Sequence, residues 1–238
     1  MNLDGQVAII TGASSGIGRG VAHELGQAGM RLVINGRRRV RLEELAGELS
    51  HAQPVPGDLT DVSLPERLIE AAVDRFGRLD VVFNNAGIMD TAPVDSADIE
   101  KLCANARVNF EAAVRMAYTA LKYFKNHGSG YLITTSSILG TKVRPTAGVY
   151  AGSKHGVEAL TEALRMEVAG SGVRVGCFEP GLVNTELQDH FEVHPRDALG
   201  MEQPLEPADI ARCVRFMLEQ PTHVSIPRMM VLPSEQAM

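Results

Sequence analysis

Three cysteines in 238 residues, Cys103, Cys177 and Cys213, are too few, too far apart and odd in number for a disulfide framework. Their scarcity fits a reducing compartment, so a cytoplasmic protein is the expectation. None stands in metal-ligand spacing, and the seven histidines are scattered; His190 and His194 lie four positions apart in a loop-like stretch without a cysteine or carboxylate pair. No metal site is expected. Charge of neither sign dominates: a formal net charge of -6 argues against general binding of nucleic acid or acidic membranes, and Arg37, Arg38, Arg39 and Arg41 are a short local exception. Apolar runs stop at strand length, and "MNLDGQVAII" lacks a basic start before a long apolar core, so neither a membrane span nor a signal peptide is expected. No repeat, linker or low-complexity tract divides the chain, and 238 residues suffice for one large domain, 1–238.

What is present is alternation. Short apolar runs, "VAII" at 7, "RLVI" at 31, "LDVVFN" at 79, "YLITTS" at 131, "VRVGCF" at 173 and "MMVL" at 229, alternate with amphipathic segments. Near-continuous apolar runs are the pattern of parallel strands buried on both faces. One intervening helix has Ser63 and Glu66 in capping-box spacing, a stripe of Leu68, Ile69, Ala72, Val73 and Phe76, and Gly77 as its stop. The expected fold is α/β, a Rossmann-type doubly wound parallel sheet of about seven strands with helices on both faces and its crevice at the strands' carboxyl ends.

The first strand runs into "TGASSGIGRG". Glycines at 12, 16 and 18 permit positive φ and a close approach of phosphate, and the following helix begins with unpaired N–H groups at a positive dipole end. The spacing Gly-x-x-x-Gly-x-Gly resembles that of the short-chain dehydrogenase/reductase family, and the tail "RMMVLPSEQAM" resembles its NADP-dependent branch, which includes hydroxy-acid and small-aldehyde dehydrogenases. Further family landmarks follow in order along essentially the whole chain: Asp58 after the third strand, "NNAG" at 84–87, Asn109, Ser137, Tyr150 with Lys154, and "PG" at 180–181.

The resemblance implies a nicotinamide dinucleotide cofactor held by Gly12, Ser14, Ser15, Gly16, Ile17 and Gly18, with Asp58 and Leu59 flanking the adenine. Asn85, Ala86 and Gly87 would line it, the asparagines also bracing neighbouring strands, and Pro180, Gly181, Val183 and Thr185 would meet the nicotinamide. Where users of NAD carry an acidic residue for the adenine ribose, this chain reads "NGRRR", with Gly36 in that place and Arg37 and Arg38 next. A guanidinium suits a 2′-phosphate and a carboxylate repels it, so the expected cofactor is NADP(H). Arg39 and Arg41 read as a basic helix start facing solvent.

Two Tyr-x-x-x-Lys pairs occur, Tyr118 with Lys122 and Tyr150 with Lys154. Family members carry a serine thirteen positions before the tyrosine; Ser137 stands there for Tyr150, whereas Asn105 stands there for Tyr118. By the same resemblance Tyr150 is the general acid/base, Lys154 bonds the nicotinamide ribose, Ser137 holds the substrate oxygen, and Asn109 anchors a water in a proton relay. A phenol of ordinary pKa near 10 donates poorly, and the expectation is that Lys154 and oxidised nicotinamide lower it.

The segment after "PG", about 182–200, is expected to form a lid carrying Leu187, His190, Phe191, Val193 and Arg196. With Ile138, Leu139, Arg144 and Met89 it would make a mainly apolar pocket with one or two anion contacts, though no carboxylate-binding arginine can be singled out. Glu179 precedes "PG" where asparagine is frequent, and the ending "RMMVLPSEQAM" lacks the Gly-Gly of many acyl-carrier-protein ketoreductases. The leading expectation is an NADP(H)-dependent aldehyde or ketone reductase acting on a small carbonyl or alcohol substrate. The alternatives are an acyl-carrier-protein-linked 3-ketoacyl reductase and a non-catalytic NADP(H) sensor or scaffold. A homotetramer or homodimer is expected from the resemblance.

Overall fold

Alternate residues of the inner strands feed two different cores, which is why those strands read as nearly unbroken apolar runs. In the computed structural model, which describes residues 2–237, β1 (Val7–Ile10) sends Ala8 and Ile10 to one face and Val7 and Ile9 to the other. The first face is covered by α1 (Gly16–Gln27), α2 (Arg39–Glu48) and α8 (Pro207–Glu219), the second by α3 (Leu64–Phe76), α5 (Ala112–His127) and α6 (Gly148–Glu167). The remaining strands are β2 (Arg31–Gly36), β3 (Ala52–Pro56), β4 (Val81–Asn84), β5 (Gly130–Thr135), β6 (Val173–Pro180) and β7 (Arg228–Val231). All seven pair in parallel in the order β3-β2-β1-β4-β5-β6-β7, giving the doubly wound sheet expected. Winding reverses between β1 and β4, and there the loops diverge to open a crevice.

The apolar runs do not reveal β3, whose sequence is "AQPVP". Its prolines are tolerated because it is an edge strand bonded to β2 alone. The helix cap at Ser63 differs from expectation. Ser63 has helical φ and ψ and no capping bond; its N–H and hydroxyl both donate to Asp61 Oδ1, so the preceding aspartate organises the turn. Gly77 closes the same helix in the left-handed conformation, φ 79°, as its sequence position implies. Between α4 (Ile99–Ala106) and α5 a π turn at Arg107–Glu111 carries Asn109. Among the described residues no helix is long and apolar enough to cross a membrane.

Candidate active site

A cleft of about 780 Å³ follows the carboxyl ends of β1, β4, β5 and β6. Gly12, Ser14, Ser15, Gly16 and Ile17 line one end, Arg37, Arg38, Asp58 and Leu59 its rim, and Asn85, Ala86 and Gly87 its floor. Ser137, Tyr150, Lys154, Pro180, Gly181, Val183 and Thr185 line the remainder. Two residues singled out from the sequence stand back from it. Gly18 underpins the turn instead: a Cβ there would come 2.4 Å from the Gly12 carbonyl oxygen, so only glycine lets α1 seat against the loop. Asn109 is buried, accepting a bond from Ile88 N and donating to Ile88 O, both at 2.8 Å, with Ser153 Oγ at 3.4 Å. It fixes the backbone beyond the floor.

The floor is braced by side chains of neighbouring strand ends. Thr11 Oγ1 accepts from the N–H groups of Asn85 and Ala86, Asn85 Nδ2 donates to Thr11 O, and Thr135 donates to Asn85 Oδ1. Asn84 donates to Ala113 O and ties β4 to α5. Gly12 and Gly16 both adopt positive φ, 70° and 52°, and a Cβ on Gly16 would meet the Thr185 methyl at 3.1 Å. The turn is thus a bare backbone surface at a helix N-terminus, fit for the phosphates of a dinucleotide.

At the rim, Gly36 leaves just enough room for Ser14, whose Oγ would lie 3.0 Å from a Cβ at position 36. Arg38 donates to Ser14 Oγ and Ser15 Oγ and to Glu186 Oε2, the last at 2.7 Å. Arg41 also binds Glu186, at 2.6 Å, so the reading of Arg41 as a solvated helix start is corrected: it helps latch the lid. These two arginines hold the Glu186 carboxyl below its usual range. Arg39 does face solvent, with Glu43 at 3.6 Å. Arg37 is exposed beside Asp58, whose carboxyl is lowered chiefly by its bond from Thr60 N–H, with Arg37's charge a smaller contribution.

Burial separates the two tyrosine-lysine pairs. Tyr118 is 43% exposed on α5, while Tyr150 is 7% and Lys154 4% exposed on α6. Tyr150 shares the cleft wall with Ser137, whose Oγ accepts from Leu139 N, and Lys154 Nζ donates to Thr135 O at 2.9 Å while lying 5.9 Å from the Tyr150 ring centre. The expected lowering of the phenol is not supplied by the chain alone. Burial raises the Tyr150 pKa, opposed first by the neighbouring Ser137 hydroxyl and then by the charge of Arg144 rather than Lys154. Burial likewise pushes Lys154 down to about 8, although Cys177 and Glu158 favour its charge.

The lid comprises a turn at Glu186–Gln188 and α7 (Pro195–Ala198). Leu187 and Phe191 pack with Met89, Ile138, Leu139 and Tyr150, as expected of an apolar pocket. Val193 and Arg196 instead face out, Val193 being 61% exposed and Arg196 paired with Asp197. His190 lies 3.5 Å from Asp90, and His194 Nδ1 accepts from Arg196 N, so the two histidines serve different contacts. Tail residues that no motif marks complete the enclosure. Gln236 Oε1 accepts from Leu182 N and Glu235 Oε2 from Glu202 N, tying residues on either side of the lid to the chain's end.

Residues 6–195 match the family model for short chain dehydrogenases. The chain belongs to the short-chain dehydrogenase family. It is an oxidoreductase of that family, 34% identical over 246 aligned positions to an uncharacterised oxidoreductase of Staphylococcus saprophyticus, with 100% of this chain and 99% of the relative covered. Among solved structures, an alcohol dehydrogenase of Thermococcus sibiricus complexed with 5-hydroxy-NADP superposes with a TM-score of 0.87 at 28% identity, 98% of each chain covered. A 3-ketoacyl-(acyl-carrier-protein) reductase of Brucella melitensis complexed with NADH gives 0.89 at 29%, covering 98% of this chain and 99% of the other.

The departure at Glu179 has a structural counterpart. This family member buries Glu179 fully at the end of β6, with Arg228 Nε 2.7 Å from Oε1 but off the hydrogen-bond direction, and Arg228 Nη2 3.0 Å from Glu158. Burial first, then the neighbouring Glu158 charge, pushes Glu179 up to about 7 from an ordinary 4.5. A carboxyl whose folded pKa exceeds its unfolded one takes up a proton on folding, so its contribution is fully present below pH 4.5 and lost as pH rises through about 7. Glu179→Gln is therefore expected to flatten the fall in melting temperature across that window. An unchanged slope in a thermal melt series would show that Glu179 is not its source.

Proposed function

We propose that this dehydrogenase is NADP(H)-dependent and interconverts a small carbonyl compound and its alcohol, with Tyr150 as general acid/base. The observation that carries the reading is the buried grouping of Tyr150, Ser137 and Lys154 at the end of a cleft whose other end is a glycine turn under two arginines. Gly12, Gly16, Ser14 and Ser15 would hold the pyrophosphate, Arg37 and Arg38 the 2′-phosphate, and Lys154 the nicotinamide ribose. When bound, the dinucleotide supplies or accepts the hydride. Tyr150 delivers the phenolic proton to the substrate oxygen on reduction and withdraws it on oxidation, while Ser137 orients that oxygen. Asn109, with its carboxamide committed to Ile88, acts in this proposal as a positioning residue. A soluble cytoplasmic enzyme, assembled as a homotetramer or homodimer through α5 and α6, belongs to the same proposal.

The test is reduced-cofactor consumption, with NADPH and NADH in parallel, against aldehydes, ketones and β-ketothioesters. Preferential turnover with NADPH supports the reading. The similarity to the Brucella ketoreductase favours a second one, which predicts turnover of a β-ketothioester chiefly when it is presented on its carrier protein.

Arg38 reaches the proposed phosphate site already engaged by Glu186, so an incoming 2′-phosphate competes with a carboxylate. Both side chains are partly exposed, and the expected effect is modest. Glu186→Gln should tighten 2′,5′-ADP about threefold and leave 5′-AMP unchanged in calorimetric titration. Equal changes for both nucleotides would remove Glu186 from phosphate discrimination.

A further inference from the structure

The substrate end of the cleft is walled by Met89, Ile138, Leu139 and Leu187 around Tyr150, and Phe191 packs against the same cluster. Into that apolar wall the loop between Ser137 and α6 delivers one cation, Arg144. Its Nε is sealed from solvent without a hydrogen-bond partner, and among the described residues its guanidinium makes no ion pair. The turn that carries it is held by Ala147 N donating to Arg144 O, with Thr146 at φ 69° and its carbonyl accepting from Ala92 N.

Among the described residues no acid of the cleft lining pairs with Arg144: Asp58 accepts from Thr60 and Glu186 from Arg38 and Arg41. Asp90 faces His190, and Glu235 accepts from the backbone of Glu202. Arg196, the other cation of the lid region, is paired with Asp197 and lies outside the cleft lining. A guanidinium donor buried without an acceptor is costly, and carboxylate is its best-matched partner through two parallel N–H bonds.

We propose that Arg144 is the anion-binding residue of the pocket and that the substrate is a carbonyl compound bearing a carboxylate. The carboxylate sits on Arg144 and the carbonyl oxygen at Tyr150 and Ser137. The assignment rests on the reductase reading above. In reduction, a hydride from the reduced nicotinamide dinucleotide adds to the carbonyl carbon, the C=O π bond breaks, and its oxygen takes the Tyr150 proton. The product is a hydroxy acid whose carboxylate is unchanged, and the dinucleotide leaves oxidised.

The experiment compares matched acids and neutral analogues, 3-oxobutanoate with its methyl ester and 4-oxobutanoate with butanal. Wild type, Arg144→Gln and Arg144→Lys are assayed with NADPH, and retained NADPH affinity and melting temperature certify folding. Wild type should prefer the acids by about a hundredfold in kcat/KM. Arg144→Gln should erase that preference, mainly through KM, and Arg144→Lys should restore part of it. Turnover of acids and neutral analogues alike, or a preference surviving in Arg144→Gln, overturns the Arg144 assignment and leaves the reductase reading standing.

If neither class is turned over, butyrate and butyramide are titrated against the NADPH complex by nicotinamide fluorescence. Perturbation by butyrate alone, lost in Arg144→Gln, supports the anion site while the reductase reading falls. Equal behaviour of acid and amide overturns the site.

Discussion

Tyr150→Phe is expected to lower carbonyl turnover by about three orders of magnitude while NADPH binds as before. The ring is packed among Met89, Ile138, Leu139 and Ala151, so phenylalanine preserves the wall and removes only the hydroxyl. Without it, no proton donor of the proposed kind stands at the substrate oxygen, while Ser137 keeps its bond from Leu139 N. Burial keeps the phenol protonated at neutral pH, the form that reduction requires. Tyr118→Phe is the control, since that side chain stands on the exposed face of α5. Turnover of Tyr150→Phe within tenfold of wild type would remove Tyr150 from the role.

The second large effect is expected at the adenosine rim. Arg37→Glu combined with Arg38→Gln should weaken NADPH about a hundredfold and strengthen NADH, because a carboxylate repels the 2′-phosphate and accepts hydrogen bonds from ribose hydroxyls. The exposed setting of Arg37, which makes no hydrogen bond or ion pair among the described residues, leaves it available to a ligand, whereas Arg38 is shared with Ser14, Ser15 and Glu186. Calorimetric titration of both dinucleotides reads the change. An unaltered ratio of their dissociation constants would refute NADP selection by this pair.

The legibility of each feature followed the range of the interaction behind it. The glycine turn was readable because close backbone approach and positive φ are local demands, and Gly12 and Gly16 carry both. Six strands were readable from their apolar runs, the inner ones because burial on both faces favours apolar side chains. The edge strand β3 escaped, since pairing on one side alone admits Pro54 and Pro56. Ser63 misled as a cap because its own N–H and hydroxyl are taken up as donors by Asp61, two residues earlier, and its backbone is already helical.

The fold class was legible in the periodicity of the sequence, and the family and the proposed Asn-Ser-Tyr-Lys set in the resemblance of its ordered motifs to those of short-chain dehydrogenases. Choosing Tyr150 over Tyr118 also needed only the spacing to Ser137; the difference in burial agrees. Tertiary structure decided what depends on distant groups meeting. It turned Arg41 from a solvated residue into a lid partner, brought Gln236 to Leu182, and placed Arg228 against Glu158 and Glu179. It separated Arg144, unpaired in the cleft, from Arg196, paired outside it. A charged side chain's meaning lies in its partner, and a partner tens of residues away has no signature in the pattern of either segment.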